Sequence, residues 1–144
     1  MGGEFLVYRE IVEKVIEILK SNPDLSEPEK IKRYYFGFPA KIDVYPFISV
    51  RWVGCTITIQ TVKRRRYEVN LEIFVADQST VEDLAEKSVM GLTEKIDEVL
   101  SQNPTLDGLV DESYLLGVES ESMVMGTYTV AGVRILFRAF KLKT

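Results

Sequence analysis

The stretch NPTLDGLVD, residues 103–111, separates the strongest helical pattern of the chain from its last two strand patterns. Asn103 suits the left-handed conformation that follows many helices, and Pro104 cannot continue a helix because it has no N–H group. Asp107-Gly108 predicts a turn, since glycine adopts a positive φ without a Cβ clash. This stretch therefore predicts that a helix ends just before it and that a strand begins just after it.

Residues 79–100, on the N-terminal side of that stretch, carry apolar residues at three- and four-residue spacing with charged residues between them. This spacing predicts an amphipathic helix, and Ser79 with Glu82 fits a capping box at its start. Gly91 lowers the helix propensity by about 1 kcal/mol, so it suggests that another backbone passes close to this position. A second amphipathic pattern, over residues 5–20, predicts an N-terminal helix.

The remaining patterns are those of strands, and the clearest is the alternation of apolar and polar residues over 66–75. The apolar phase changes within the last strand, which predicts a β-bulge or a bend at Ala131-Gly132. Short connections favour antiparallel pairing. We therefore predict an α+β fold in a single domain, residues 1–144, with a mainly antiparallel sheet of about five strands and two helices packed on one face. The predicted strands cover residues 34–36, 47–53, 56–62, 66–75, 114–119 and 127–142.

The composition excludes several classes of chemistry. The 144 residues are 46% hydrophobic and 28% charged, with a net charge of −4, which is typical of a globular domain and not of a general polyanion binder. No histidine is present, so zinc sites with imidazole ligands and Ser-His-Asp triads are excluded. Cys55 is the only cysteine, so no internal disulfide can form. No apolar run approaches the roughly 20 residues of a transmembrane helix, so we expect no membrane partner.

The basic run Lys63, Arg64, Arg65 and Arg66 lies between two predicted strands, and its first three residues are predicted to form the tip of a hairpin. Cations on a hairpin can contact the phosphates of a nucleic acid or an acidic surface of another protein. They can also be a solvated tip that prevents aggregation. Nucleic-acid-binding proteins usually add aromatic residues or a basic helix, and here only Tyr67 is near. A protein–protein contact is therefore favoured over a nucleic-acid site.

Carboxylates offer the only other candidate chemistry. Asp107, Asp111 and Glu112 could bind a hard cation or act as an acid/base pair, but turn formation and solvation explain them better. Glu119 and Glu121 could form an acidic rim, but an exposed strand end followed by a loop explains them better. We predict no catalytic, cofactor or metal site. Trp52 is interpreted either as an interface residue or as part of the core. A small enzyme using carboxylates or Cys55 stays an alternative, although no histidine is present to activate the thiol.

Several segments together resemble the tail terminator, or tail completion, proteins of long-tailed bacteriophages and related proviruses. The resemblance spans about residues 5–140, and the loop after the second helix is its strongest part. The segments that carry the resemblance are an N-terminal helix, YYFGFP at residues 34–39, YPFISV at 45–50, the alternating strand 67–75 followed by Ala76-Asp77, the amphipathic helix, NPTLDGLV at 103–110 and two final strands.

The resemblance implies a structural virion component without catalytic activity. It implies a ring, typically a hexamer, that caps the tail tube, meets the head-side connector protein, and is located in the virion tail after assembly in the host cytoplasm. Ring closure needs heterologous contacts, in which one patch of each subunit fits a different patch of the next. We therefore expect Lys63, Arg64, Arg65 and Arg66 to face acidic residues such as Glu119 and Glu121 of a neighbouring copy. A head–tail joining protein of similar fold and a small nucleic-acid-binding module are the alternatives.

Overall fold

The structure is a computed structural model that describes residues 8–26, 31–42, 44–81 and 83–143. The predicted helix start at Phe5 lies outside these residues. Within them the sequence forms helices at both predicted places and a sheet between and after them. In chain order the elements are α1 (Tyr8–Lys20), α2 (Pro23–Ser26), β1 (Arg33–Phe36), β2 (Phe47–Thr61), β3 (Arg64–Ser79), α3 (Leu84–Ser101), β4 (Glu112–Met125) and β5 (Tyr128–Lys143).

The five strands form one sheet in the order β1-β2-β3-β5-β4. The pairs β2–β3, β3–β5 and β4–β5 are antiparallel, whereas the short edge strand β1 runs parallel to β2. The long helices α1 and α3 contact the same face of the sheet and each other. The predicted α+β class, with a mainly antiparallel sheet and two helices on one face, is confirmed.

The core lies between this helix-side face and the two long helices. Alternate residues of β3 point into it, and Val69, Leu71, Ile73 and Val75 are at most 1% exposed. Each fully buried aliphatic side chain contributes about 1.5–3 kcal/mol to folding, so the alternation over β3 fixes which face is inside. The apolar stripe of α3 meets them as predicted; its buried residues are Ala85, Val89, Leu92, Ile96, Val99 and Leu100.

The opposite face, called here the outer face, is covered at one end by the connection between β1 and β2. The rings of Phe38 and Tyr45 from this connection pack near Phe47 and Phe74 of the sheet. Val130 lines a hollow that these rings border on the outer face. Both faces of this end are therefore apolar, and this explains the change of apolar phase in β5 without any change of register.

The predicted bulge at Ala131-Gly132 is wrong, because β5 pairs with β3 without a register shift from Thr129 to Lys143. Gly132 is instead required by packing on the outer face. A Cβ atom there would lie 2.7 Å from Cζ of Phe74 and 2.8 Å from the backbone oxygen of Glu121. The glycine is needed because the Phe74 ring lies across it, in the manner of an aromatic ring covering a glycine in a sheet.

The predicted strands at 47–53 and 56–62 are one continuous strand, β2, in the structure. A bulge between Trp52 and Gly54 interrupts its pairing with β3, and the strand continues beyond it. Glycine is common at such bulges. Gly54 therefore interrupts the pairing without ending the strand, contrary to the two separate ranges predicted. A second register shift in β2 lies between Ile59 and Thr61, and a third, between Leu115 and Gly117, lies in the edge strand β4.

Helix α3 begins at Leu84 and not at Ser79, because β3 continues to Ser79. The residue before the helix, Asp83, has φ 61° and makes no side-chain cap hydrogen bond. Ser79 Oγ instead accepts a hydrogen bond from the Val81 N–H at 3.0 Å. Ser79 is therefore not the N-cap of α3, and Glu82, the other residue of the predicted capping box, lies outside the described residues. Among the described residues, an added Cβ at Gly91 has no neighbour within 4 Å, so the close backbone approach expected there is not found within them.

The loop at residues 103–111 holds three consecutive residues with positive φ, namely Leu106, Asp107 and Gly108. The predicted turn at Asp107-Gly108 is confirmed. Asn103 is not the left-handed residue; its side chain instead accepts a hydrogen bond from the Asp107 N–H at 2.9 Å and donates one to Asp107 Oδ1 at 2.8 Å. Leu106 is fully buried, so the loop is fixed to the core.

Candidate assembly surfaces

The basic run lies at the far end of the sheet, where β2 and β3 are joined by a two-residue turn. Thr61 pairs with Arg64, so the turn consists of Val62 and Lys63 only. The predicted tip of Lys63, Arg64 and Arg65 is therefore corrected: Lys63 is in the turn, and the arginines begin β3. Two-residue connections are the commonest in hairpins, and Thr61 and Arg64 extend the strands up to the turn.

The four cations do not form one cluster, because successive strand residues point to opposite faces. Arg65 shares the helix-side face with Val69, whereas Arg64 and Arg66 point to the outer face. The guanidinium of Arg66 lies 4.1 Å from the ring centroid of Phe140, a cation–π contact that stabilises the sheet itself.

Lys63, Arg64 and Arg65 remain exposed. In the part of the chain that the structure describes, no carboxylate forms an ion pair with their side chains. Three cations at one end of a protein with net charge −4 are therefore available to another molecule.

The two predicted acidic partners lie on the outer face of β4, and both contact Arg134 of the same chain. Arg134 Nη2 donates a hydrogen bond to Glu121 Oε2 at 2.9 Å, and Nη1 lies 3.5 Å from Glu119 Oε1. Both carboxylates are about 58% exposed. They are thus already engaged within the chain, although their exposure leaves room for a further partner.

Glu72 is the centre of this charged cluster and was not singled out from the sequence. Its side chain is only 9% exposed and lies between two arginines. Arg51 contacts Glu72 Oε2 at 2.7 and 2.9 Å, and Arg134 Nε lies 2.6 Å from Glu72 Oε1. A buried charge needs such partners to offset its lost hydration. Three carboxylates and two guanidiniums leave the cluster with a net charge of −1.

Beside this cluster the outer face has a hollow of about 430 Å³. Its walls are the rings of Phe38, Tyr45 and Phe74, and the Arg134 cluster forms its polar side. Burial raises the pKa of the Tyr45 phenol above its ordinary value of 10.0. The hollow has the composition of a site for an apolar side chain of another protein, with charged groups at one side to orient it.

Trp52 has features of an interface residue and of a core residue, the two interpretations predicted for it. Its ring stacks on Tyr8 of α1 with the centroids 4.9 Å apart, yet the residue is 48% exposed. Burial, followed by the hydrogen bond to Cys55, raises the pKa of the neighbouring Tyr8 phenol. Cys55 is half-buried and packs against the core.

The carboxylates near residue 110 have structural partners. Asp111 Oδ2 accepts a hydrogen bond from the Leu142 N–H at 2.7 Å, and Asp107 contacts both Asn103 and Lys14. Across residues 8–26, 31–42, 44–81 and 83–143, no three side chains of histidine, cysteine, aspartate or glutamate converge as metal ligands. Over the same residues, none of the helices has both the length and the apolar character needed to cross a bilayer.

No protein-family model matches the chain, and no curated protein matches it. Among solved structures, one similar chain belongs to a structure described as the virion of a native gene transfer agent particle. The two chains are 10% identical, the match covers 91% of this chain and 95% of the other, and the TM-score is 0.47. A similarity at this level carries no argument about function.

Proposed function

We propose that the protein is a structural virion component whose copies assemble into a ring, most simply a hexamer, that ends a phage or provirus tail tube and joins it to the head connector. The resemblance of several sequence segments to tail terminator proteins supports this proposal. Its partners are other copies of the chain, the tail tube protein and the connector protein. The ring acts in the virion tail after assembly in the host cytoplasm.

The observation that carries the proposal is the exposed end of the β2–β3 hairpin, with Lys63, Arg64 and Arg65 free of ion pairs in the described chain. The opposite edge of the sheet, β4, includes the acidic residues Glu119 and Glu121. A basic end and an acidic edge on one molecule are complementary in a head-to-tail contact, which closes into a ring or continues as a filament.

The first test measures the mass of the purified protein in solution over a range of concentrations and images it by electron microscopy, alone and with tail tubes. Rings, alone or at tube ends, support the proposal. A protein that stays monomeric and binds no tube at any concentration contradicts it.

The second test reverses the charges at the hairpin. Arg64→Glu with Arg65→Glu should weaken ring formation without lowering the unfolding temperature, because both side chains are exposed. A matched control reverses Lys20 and Lys41, which are also exposed but lie away from the hairpin. Equal ring formation by the hairpin variant and the parent would show that these cations make no subunit contact.

A nucleic-acid-binding module is the alternative that the same cations favour. It predicts a monomer whose DNA affinity falls steeply with salt, because bound counterions are released on binding. The aromatic residues nearest to the cations, Tyr67 and Phe140, are half-buried and buried, so they offer no free ring for base stacking. A filter-binding titration at two salt concentrations separates this alternative from the ring.

A further inference from the structure

The helix-side face of the hairpin end carries an apolar strip that its own helices do not cover. Ile57 pairs with Tyr67 and Ile59 with Arg65, so both isoleucines share the face that is buried elsewhere by α1 and α3. They are 50% and 68% exposed. We call Ile57 and Ile59 the arm strip; Trp52 lies on the same face, but its ring is stacked on Tyr8 of α1. The cation Arg65 lies on the same face, and Lys63 is in the adjoining turn.

A groove of about 420 Å³ lies on the same face at the other edge of the sheet, between α3 and β4. We call it the α3–β4 groove. Met90 and Val118 form its apolar sides and are 59% and 53% exposed. Two carboxylates, Glu86 and Glu94, line it from α3. An exposed apolar surface with charged residues beside it is typical of a protein contact site.

One molecule cannot join these two surfaces. Ile59 pairs with Arg65 of β3, whereas Val133, which lines the groove, pairs with Val75 of β3. Ten residues of strand separate these rows by about 33 Å, and three strand spacings add about 14 Å across the sheet. A strip that is apolar and basic, and a groove that is apolar and acidic, are therefore complementary only between two copies.

From this complementarity we infer that the arm strip of one copy occupies the α3–β4 groove of the next copy. The contact is heterologous and repeats head to tail, and it brings Arg65 and the adjoining Lys63 to Glu86 and Glu94, while Arg64 faces the other side of the sheet. Bulges interrupt both free strand edges, at Trp52/Gly54 in β2 and at Leu115/Gly117 in β4. Bulges oppose edge-to-edge strand pairing, so packing of side chains is favoured over extension of the sheet. This inference rests on the proposed self-assembly.

Cysteine cross-linking tests the contact in the full chain. In a Cys55→Ser background, Ile59→Cys with Met90→Cys should give a ladder of disulfide-linked oligomers on a non-reducing gel after mild oxidation. A matched control moves the first cysteine to Thr58, which is exposed but points to the outer face. The control pair should give no ladder beyond dimers.

The outcomes separate this inference from the proposed function. Rings that form without a ladder specific to the Ile59/Met90 pair overturn the inference and leave self-assembly standing. A parent protein that never self-associates overturns both. A second variant gives an independent readout: Met90→Arg should shift the sedimentation of the assembled protein toward the monomer, because it places a cation where the cationic hairpin binds. Met90→Leu should assemble like the parent, and equal assembly of both variants would overturn the contact.

Discussion

Gly132 offers a sharp test of the packing on the outer face. Replacement by alanine adds one methyl group, whose carbon would lie 2.7 Å from Cζ of Phe74 and 2.8 Å from the Glu121 backbone oxygen. Gly132 has no positive φ, so alanine meets no backbone strain there and gains about 0.5–1 kcal/mol from reduced chain entropy. Overpacking costs about 1–3 kcal/mol, because a backbone oxygen cannot move aside easily.

The net expectation for Gly132→Ala is a loss of up to about 2.5 kcal/mol, centred on about 1.3 kcal/mol, in the free energy of unfolding. At this chain length the unfolding temperature should fall by about 2–8 °C. Urea denaturation followed by circular dichroism measures the change. Gly91→Ala is the matched control, because an added Cβ there has no neighbour within 4 Å in the described part of the chain and α3 should gain about 1 kcal/mol.

A Gly132→Ala variant as stable as the parent would refute the packing argument, since it would show that the Phe74 ring and the β4 backbone yield without cost. The double variant Gly132→Ala with Phe74→Leu adds a further check. It removes the contact with the ring but keeps the contact with the Glu121 oxygen. It should therefore recover the part of the stability loss that the ring causes, and not the part that the backbone oxygen causes.

Three further predictions concern stability. Leu92→Ala should cost about 2–4 kcal/mol in a urea titration because Leu92 is 8% exposed, while Leu84→Ala on the same helix, 51% exposed, should change stability by no more than about 0.5 kcal/mol; equal losses would contradict the assigned core face. Glu72→Ala should cost about 1–3 kcal/mol because Arg134 Nε loses its nearest partner, and an unchanged urea midpoint would show that the pair is not stabilising. Burial raises the folded-state pKa of Tyr45, so the unfolded chain releases that proton first and stability should fall as pH rises above about 10; Tyr45→Phe should flatten this fall, and an identical pH profile would contradict burial of the phenol.

The helices and the core face were predictable because their information is local. The stripe of α3 repeats every three or four residues, and the apolar face of β3 repeats every two, so each pattern identifies its buried side without knowledge of the partner. The predicted class and the sheet of about five strands are confirmed, although two of the six predicted strand ranges form the single strand β2. The bounds were less accurate: Ser79 suited a helix cap chemically, yet pairing with Thr129 of β5 retains it in β3.

The charged cluster was not predictable from local patterns. Alternation placed Glu72 on the polar face of β3, where solvation is the ordinary expectation. Only the pairing with Arg51 of β2 and the position of Arg134 on β5 surround it with cations and bury it. That information depends on strand order and register over more than 60 residues of sequence. The same reason applies to Glu119 and Glu121, whose contacts with Arg134 no local pattern predicts.

The exposed arm strip is a consequence of the dimensions of the elements. The 16 residues of β3 span about 50 Å at 3.3 Å per residue, whereas the 18 residues of α3 span only about 27 Å at 1.5 Å per residue. The helices therefore cannot cover the full length of the sheet face. Yet the apolar alternation of β2 continues into the uncovered part, at Ile57 and Ile59. Isolated exposed isoleucines need no explanation, but two in phase beside Lys63 and Arg65 form a surface suited to a contact, and the proposed contact between copies buries it.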